Sequence, residues 1–160
     1  MATANKNLSV YDKKTIPNAK DFRFGIVVSE WNPEITEALY RGALDALLDC
    51  GAVQENIVRW NVPGSFELAY GTKKLIASEK LDAVIAIGSV IQGETKHFDF
   101  VCNATAQGIM DLNVQYETPI IFCVLTDDTW QQAKDRSGGR HGNKGTEAAV
   151  AAVKMAALGK

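Results

Sequence analysis

Residues 83 to 100 read AVIAIGSVIQGETKHFDF. The first five are apolar without polar alternation, which is typical of a strand covered on both faces in a parallel sheet. The sequence predicts that this strand breaks at Gly88 and that a new helix begins at about His97. Ligands of open α/β sheets bind beyond the carboxyl ends of the strands, so this segment is the first candidate for a functional site.

Three other segments have the same strand character, at 22–28, 57–62 and 120–125. Helical spacing of apolar residues predicts helices that begin after Asn32, span 66–78 and 97–116, begin near Trp130, and span 146–158. Strands and helices therefore alternate four times. This alternation predicts a three-layer α/β/α protein with a four-stranded parallel, doubly wound sheet of the flavodoxin-like type.

Two side chains are predicted to cap helices. Asn32 stands before Pro33, a favoured first helical residue, and Ser65 stands before the second helix. Asn143 is a stronger cap candidate than Thr146 for the last helix, whose start stays open.

The chain has 160 residues, enough for one core, and we expect an arm over 1–20 followed by a single α/β domain over 21–160. The formal net charge of -2 gives no basic excess for binding nucleic acid. No apolar run approaches the roughly 20 residues of a membrane span, and the polar start lacks a signal peptide's apolar stretch. We therefore expect a cytoplasmic protein without a membrane partner.

Several kinds of site are excluded by residue order. The glycine-rich loop at 137–145 lacks the order of a P-loop and follows a helix instead of a strand. The first strand ends at Ser29-Glu30-Trp31, without the glycines of a dinucleotide turn and with a carboxylate that would repel FMN phosphate. No aspartate ends the first or third strand, so a receiver domain fits poorly. Cys50, Cys102 and Cys123 are far apart, which argues against a metal site or disulfides.

Most candidate residues at the carboxyl edge of the sheet have two open interpretations. Trp31 either stacks on a ligand, with Phe122 as a second aromatic, or covers the sheet edge. Glu67 either contacts a ligand or stabilises a helix start. Arg136 and Lys144 either hold a phosphate or are two solvated cations.

His97 is the candidate proton carrier. An imidazole gains and loses protons near neutral pH, and Glu94, Thr95 and Asp99 are polar enough to orient it. The alternative is a purely structural histidine at a helix start. His141, the second histidine, is assigned no role.

Taken together, the motifs resemble a known family. They are, in order, Trp31-Asn32, Pro63-Gly64-Ser65-Phe66-Glu67, Gly88 to Thr95 with His97-Phe98-Asp99, and Arg136 with Gly142-Asn143-Lys144-Gly145. From about Phe22 to its end the chain is similar to the 6,7-dimethyl-8-ribityllumazine synthases of riboflavin synthesis. Trp31, Gln92 and Lys96 depart from the phenylalanine, basic residue and proline that are frequent in that family.

The resemblance implies a condensation that needs no cofactor and no metal. In it, 5-amino-6-(D-ribitylamino)uracil joins 3,4-dihydroxy-2-butanone 4-phosphate, with release of phosphate and water, and His97 would carry protons. By the same likeness the pyrimidine would be bound by Trp31, Ser65, Phe66, Glu67, Ser89, Val90, Ile91 and Phe122. The phosphorylated ketone would be bound by Glu94, Thr95, Arg136 and Lys144.

The resemblance also implies an assembly of identical subunits. Similar proteins form pentamers, often twelve of them in an icosahedral 60-mer shell, with each site shared between adjacent subunits and the N-terminal strand added to a neighbour's sheet. Leu8 to Tyr11 would supply that strand, and a loop from Arg136 to Gly145 without insertion favours the shell. Riboflavin synthase is an expected partner. Two rival interpretations are a noncatalytic flavin or lumazine carrier and a protein whose main role is the shell.

Overall fold

The computed structural model describes residues 7–160, and a parallel four-stranded sheet in the order β2-β1-β3-β4 forms the centre. The predicted doubly wound α/β/α fold is confirmed. Residues 1–6 of the predicted arm lie outside the described part of the chain. The strands are β1 Phe24–Ser29, β2 Ile57–Val62, β3 Ala83–Ile91 and β4 Ile120–Asp127. The α-helices are α1 Pro33–Asp49, α2 Leu68–Ser78, α3 His97–Gln115, α4 Trp130–Arg136 and α5 Lys144–Ala156.

The helices bury both faces of the sheet. α1 and α5, with Ala133 of α4, pack against the face that carries Ile26 and Ile85. α2 and α3 pack against the face that carries Val27 and Val84. β1 and β3 are the two central strands. Because a strand covered on both faces is stabilised by apolar residues on both sides, residues 24–28 and 83–87 are all buried and consist of apolar residues and one glycine.

β3 continues past the predicted break, so that prediction was wrong. Its pairing with β4 runs from Val84 opposite Ile120 to Ile91 opposite Asp127. Gly88 is an interior residue of the strand, and a Cβ there would lie 2.5 Å from Ser65 Oγ. The absence of a side chain at Gly88 therefore allows the segment after β2 to pack closely against β3, and the glycine does not make a turn.

Two of the predicted caps are absent. Asn32 makes no capping hydrogen bond and takes the left-handed conformation, with φ 57° and ψ 56°. Ser65 begins a 3-10 turn over Ser65–Glu67, its hydroxyl caps nothing, and α2 starts at Leu68. Glu67 precedes α2 without a side-chain capping bond, so its carboxylate is not engaged as a cap.

Two other helix starts are capped by side chains. Thr129 and Gln132 form a reciprocal capping box at α4. Asn143 accepts a hydrogen bond from the Gly145 amide at α5, which places the open start of this helix at Lys144. The loop before α5 contains a short antiparallel hairpin that the sequence did not predict, β5 Ser137–Gly139 and β6 Gly142–Asn143.

α1 and α5 touch backbone to backbone. A Cβ at Gly145 would overlap the carbonyl oxygen of Leu39 and would lie 3.0 Å from the Ala43 nitrogen. The side-chain amide of Asn143 donates to the carbonyl oxygen of Ala38 at 2.9 Å. The start of α5 is therefore fixed against the middle of α1 by excluded volume and by a hydrogen bond.

The described part of the arm lies on its own chain. The Leu8 amide donates to the carbonyl oxygen of His141 at 2.8 Å, and residues 8–11 form no strand here. The Tyr11 hydroxyl donates to Asp49 at 2.8 Å, and Lys13 forms an ion pair with the same carboxylate at 3.0 Å. Across residues 7–160, none of the helices has the length and apolar character required to cross a membrane.

Candidate functional site

A cleft of about 690 Å³ opens beyond the carboxyl ends of β1 and β3. This is the point at which the strand order reverses, where open α/β sheets bind ligands. Its volume is typical of small-molecule sites, which span roughly 300–1,000 Å³. Its lining consists of Trp31, Asn32, Gly64, Ser65, Phe66, Glu67, Ser89, Val90, Ile91, Gly93, Thr95, His97, Phe98, Phe100 and Val101.

Asn32 joins the loop after β1 to the end of β3. Its side-chain amide donates to the carbonyl oxygen of Ser89 at 3.0 Å. Trp31, the residue before it, is 71% exposed and faces the cleft. The left-handed backbone of Asn32 and this hydrogen bond together set where the indole ring can lie.

The 3-10 turn Ser65–Glu67 forms a second wall. Ser65 packs against Gly88 of β3, and its carbonyl oxygen accepts from the Thr105 hydroxyl of α3 at 3.1 Å. Phe66 and Glu67 are thereby held at the cleft, with Phe66 60% exposed. The turn offers an apolar ring and a carboxylate side by side.

The third wall is the start of α3. His97 is the first residue of this helix, and its amide lies 3.3 Å from the Thr95 hydroxyl. The His97 side chain is exposed at the cleft, where it can reach a bound molecule. Phe98 and Phe100 add apolar surface beside it, a contribution that sequence reasoning missed.

Two buried hydroxyls border the cleft without a partner. Within residues 7–160, Ser65 Oγ and Ser89 Oγ make no hydrogen bond. Buried polar groups normally find partners. Because both oxygens are buried and Ser65 Oγ faces Gly88, a ligand in the cleft could reach either hydroxyl only after a local side-chain rotation. Ser65 and Ser89 were both predicted as site residues.

The structure brings most of the predicted site residues together, and leaves four outside the lining of the cleft. Phe122 is the third residue of β4, opposite Ala86, and therefore lies away from the carboxyl edge where the sequence placed it. Glu94 is exposed in the loop after β3 but does not line the cleft. Arg136 ends α4 and Lys144 begins α5, both outside the lining.

Each of the two outlying cations has a carboxylate neighbour. Lys144 Nζ lies 3.0 Å from Glu147, and the lysine side chain is only 19% exposed. Arg136 Nη1 donates to the carbonyl oxygen of Gln132 at 3.0 Å and lies 3.8 Å from Asp127 Oδ1. Neither cation is free in solvent, which weakens the interpretation as two solvated charges.

The cysteines offer no nucleophile at the cleft. Cys50 and Cys123 are buried, Cys102 is half-buried on α3, and all three are free thiols. Burial raises the pKa of Cys123 to about 12, so its thiolate form is scarce at neutral pH. Among residues 7–160, no three His, Cys, Asp or Glu side chains are grouped to hold a metal ion.

Comparison with known proteins places this site in context. Residues 21–160 match the family model described as 6,7-dimethyl-8-ribityllumazine synthase. A protein of that name from Flavobacterium johnsoniae is 71% identical, and the match covers 98% of this chain and 82% of the relative. One from Christiangramia forsetii is 70% identical, and the match covers 100% of this chain and 96% of the relative. A protein of the same name from Parabacteroides distasonis is 55% identical over 97% of both chains.

Proposed function

The chain belongs to the 6,7-dimethyl-8-ribityllumazine synthase family, and we propose that the cleft beside Trp31 and His97 is where it performs that family's reaction. It is a transferase that condenses 5-amino-6-(D-ribitylamino)uracil with 3,4-dihydroxy-2-butanone 4-phosphate and releases phosphate and water. The reaction is the penultimate step of riboflavin biosynthesis. The observation that carries the proposal for the site is that Trp31, the turn Ser65–Glu67 and His97 line one cleft despite their separation in sequence.

The pyrimidine and its ribityl chain occupy the cleft in this proposal. An exposed indole suits the face of a flat heterocycle, because stacking buries both surfaces. The exposed Glu67 carboxylate suits a ligand rich in N–H and O–H groups, and the buried, unpaired hydroxyls of Ser65 and Ser89 would have to rotate toward the cleft to join it. The proposed contacts are Trp31, Ser65, Phe66, Glu67, Ser89, Val90 and Ile91, with Phe122 supplied by an adjacent subunit.

The phosphorylated ketone binds beside the loop after β3. Glu94 and Thr95 belong to that loop, while Arg136 and Lys144 would come from the adjacent subunit. A guanidinium fork matches phosphate oxygens, and a lysine supplies a point charge. Two observations support an intersubunit role of Arg136. It does not line the cleft of its own subunit, and 38% of its side chain is exposed, so it can contact another subunit.

His97 moves the protons. The primary amine of the pyrimidine attacks the ketone carbonyl, both N–H protons leave nitrogen in turn, and two protons reach the carbonyl oxygen, which departs as water as the imine forms. A base then removes a proton from the carbon next to the imine, and the phosphate leaves as the new double bond forms. The resulting enol becomes a ketone, and the ribitylamino nitrogen closes the ring on that carbonyl with loss of a second water. One imidazole can serve each step in turn without a cofactor, while cations stabilise the departing phosphate.

A homo-oligomer follows from this division of the site, and we propose a pentamer that assembles into a 60-mer shell in the cytoplasm. Exposed apolar side chains on α3 support an interface, since Phe100, Met110 and Val114 are 71%, 59% and 81% exposed. The arm over 1–20 would join the sheet of a neighbour, which requires the Leu8 amide to exchange its hydrogen bond to His141 of its own chain, and 21–160 would form the catalytic domain. Riboflavin synthase would take up the product.

The decisive experiment mixes the purified chain with both substrates and follows the lumazine chromophore. We expect formation well above the spontaneous condensation. A rate equal to that of a buffer control would reject the enzyme and favour a noncatalytic carrier. Light scattering on the same sample measures the assembly, and a monomer that retains full activity would reject the shared site.

A further inference from the structure

Asp127 is a buried carboxylate that none of the predicted roles uses. It ends β4, is 6% exposed, and stands opposite Ile91 at the end of β3. Its carbonyl oxygen accepts from the Gln92 amide at 2.9 Å, which anchors it beside the loop that follows β3. The residue is therefore at the carboxyl edge of the sheet but outside the lining of the cleft.

The carboxylate is poorly compensated by its own surroundings. Oδ2 is buried and makes no hydrogen bond within residues 7–160. Burial raises the pKa of this carboxyl group, Arg136 acts in the opposite direction, and Asp128 adds to the rise. A buried charge with an unpaired oxygen contributes little to stability, so stability alone does not account for an acidic residue here.

Arg136 is the only cation within ion-pair distance of Asp127 in the described chain. Its Nη1 lies 3.8 Å from Asp127 Oδ1 and donates to the carbonyl oxygen of Gln132 at 3.0 Å. The hydrogen bond to Gln132 holds Nη1, and Asp127 attracts the same nitrogen from a distance too long for a hydrogen bond. Because the guanidinium is planar, holding this nitrogen restricts the directions of the remaining N–H groups. The outer part of the side chain remains accessible, with 38% of it exposed.

We propose that Asp127 is a positioning residue that holds Arg136 in the orientation required to bind the phosphate of the ketone substrate. This inference rests on the proposed function, in which Arg136 contacts that phosphate. Asp127 acts only through the guanidinium: it attracts Nη1 from the β4 side, so that the donors not used within the subunit are presented as a fixed fork. Without the carboxylate, the arginine keeps its charge but samples more orientations, and binding of the phosphate costs more conformational entropy.

The experiment measures KM for each substrate in Asp127→Asn, Asp127→Ala, Arg136→Ala and the double variant Asp127→Ala/Arg136→Ala. We expect Asp127→Ala to raise KM for the phosphorylated ketone about tenfold and to leave KM for the pyrimidine unchanged. Asp127→Asn has nearly the same shape and retains an oxygen acceptor, so its increase should be smaller. The double variant should match Arg136→Ala, because a group that acts through the arginine has no effect once the arginine is gone.

Asp128→Asn is the matched control. It removes the same charge one residue along, from an exposed side chain, and should leave both KM values unchanged. Melting temperatures of all variants separate lost stability from lost binding. Equal increases in both KM values for Asp127→Ala, or a further loss on top of Arg136→Ala, would overturn the inference.

The outcomes also separate this inference from the proposal on which it rests. If Arg136→Ala leaves KM for the ketone unchanged while the parent makes the lumazine, the assigned role of Arg136 is wrong, and the role of Asp127 falls with it. If Arg136→Ala raises that KM and both Asp127 variants do not, only the role of Asp127 is overturned.

Discussion

The side-chain amide of Asn32 donates a hydrogen bond to the main-chain oxygen of Ser89, 57 residues further along the chain. This bond joins the loops that follow the two central strands, and it replaces the helix-capping role that the sequence predicts for Asn32. The residue also has the one left-handed backbone among the non-glycine residues in the described part of the chain, with φ 57°.

Substitutions at Asn32 should separate these two features. Asn32→Gly keeps the left-handed backbone and loses the hydrogen bond, so the free energy of unfolding should fall by about 1 kcal/mol. Asn32→Ala also incurs the left-handed penalty and should lose roughly 2 kcal/mol. Urea unfolding at one fixed protein concentration measures both. Equal losses in the two variants would show that the backbone conformation carries no strain.

His97→Ala should slow the condensation about 100-fold without abolishing it, because substrate positioning survives when the proposed proton carrier is lost. The measurement is the rate of lumazine formation at saturating concentrations of both substrates. His141→Ala is the matched control, since that histidine lies in the β5–β6 hairpin and makes hydrogen bonds through its backbone. A His97→Ala enzyme as fast as the parent would remove the imidazole from the mechanism.

Gly88→Ala should destabilise the protein by about 2 kcal/mol, because the added methyl group meets Ser65 Oγ at 2.5 Å and Leu68 Cδ1 at 3.0 Å. Displacement of the turn Ser65–Glu67 should also weaken pyrimidine binding. Gly93→Ala is the control for stability, since no atom lies within 4 Å of the added carbon. Thermal melting and calorimetric titration measure the two effects, and equal melting temperatures for both variants would contradict the packing argument.

The phenol of Tyr11 should ionise only at a pH above the ordinary pKa of tyrosine. Burial, and then the hydrogen bond to Asp49, raise the pKa of Tyr11 from 10.0 to about 12. Because the folded-state pKa is raised, the contribution of this contact is fully present below pH 10 and is lost as the pH rises through about 12. An ultraviolet titration of the parent, with Tyr11→Phe subtracted, measures this pKa. Asp49→Asn should move it part of the way back, and an unchanged value would show that burial alone is responsible.

Asp49 responds to acid in the opposite direction. Hydrogen bonds from Lys13 and then Tyr11 lower the pKa of this carboxyl group. The ionised Asp49 carboxylate therefore stabilises the docked arm fully above the ordinary pKa of aspartate. This stabilisation is lost as the pH falls through the lowered pKa of Asp49 in the folded protein. The arm should be held most firmly between these two limits.

Hydrophobic patterning predicted the layers of the fold well, because buried parallel strands carry their signal in consecutive residues. The end of β3 was missed for a physical reason. Gly88 looks like a strand breaker, yet three more residues pair with β4 beyond it, and that partner strand begins about thirty residues further along the chain. A local pattern does not contain the information that a glycine is used for close packing against Ser65.

The candidate site was predictable where its residues follow the carboxyl ends of strands. Trp31, Ser65 and His97 come after β1, β2 and β3, and the parallel topology brings those strand ends to one edge of the sheet. The interest of Asp127 was not predictable from the sequence, because its burial depends on tertiary packing. The positions of Phe122 and Arg136 outside the cleft likewise depend on how the helices and edge strand pack.

The contact between Gly145 and Leu39 bears on how variation among relatives should be interpreted. Any side chain at position 145 would separate α5 from α1, so selection against substitution follows from steric exclusion even if no substrate ever approaches this residue. Because Gly145 is adjacent to Lys144, which the proposed function uses, invariance at position 145 among relatives would not by itself indicate a role in catalysis. If codon 145 is randomised and the library is screened for folded protein alone, it should return glycine, whether or not the host cells depend on the enzyme for riboflavin.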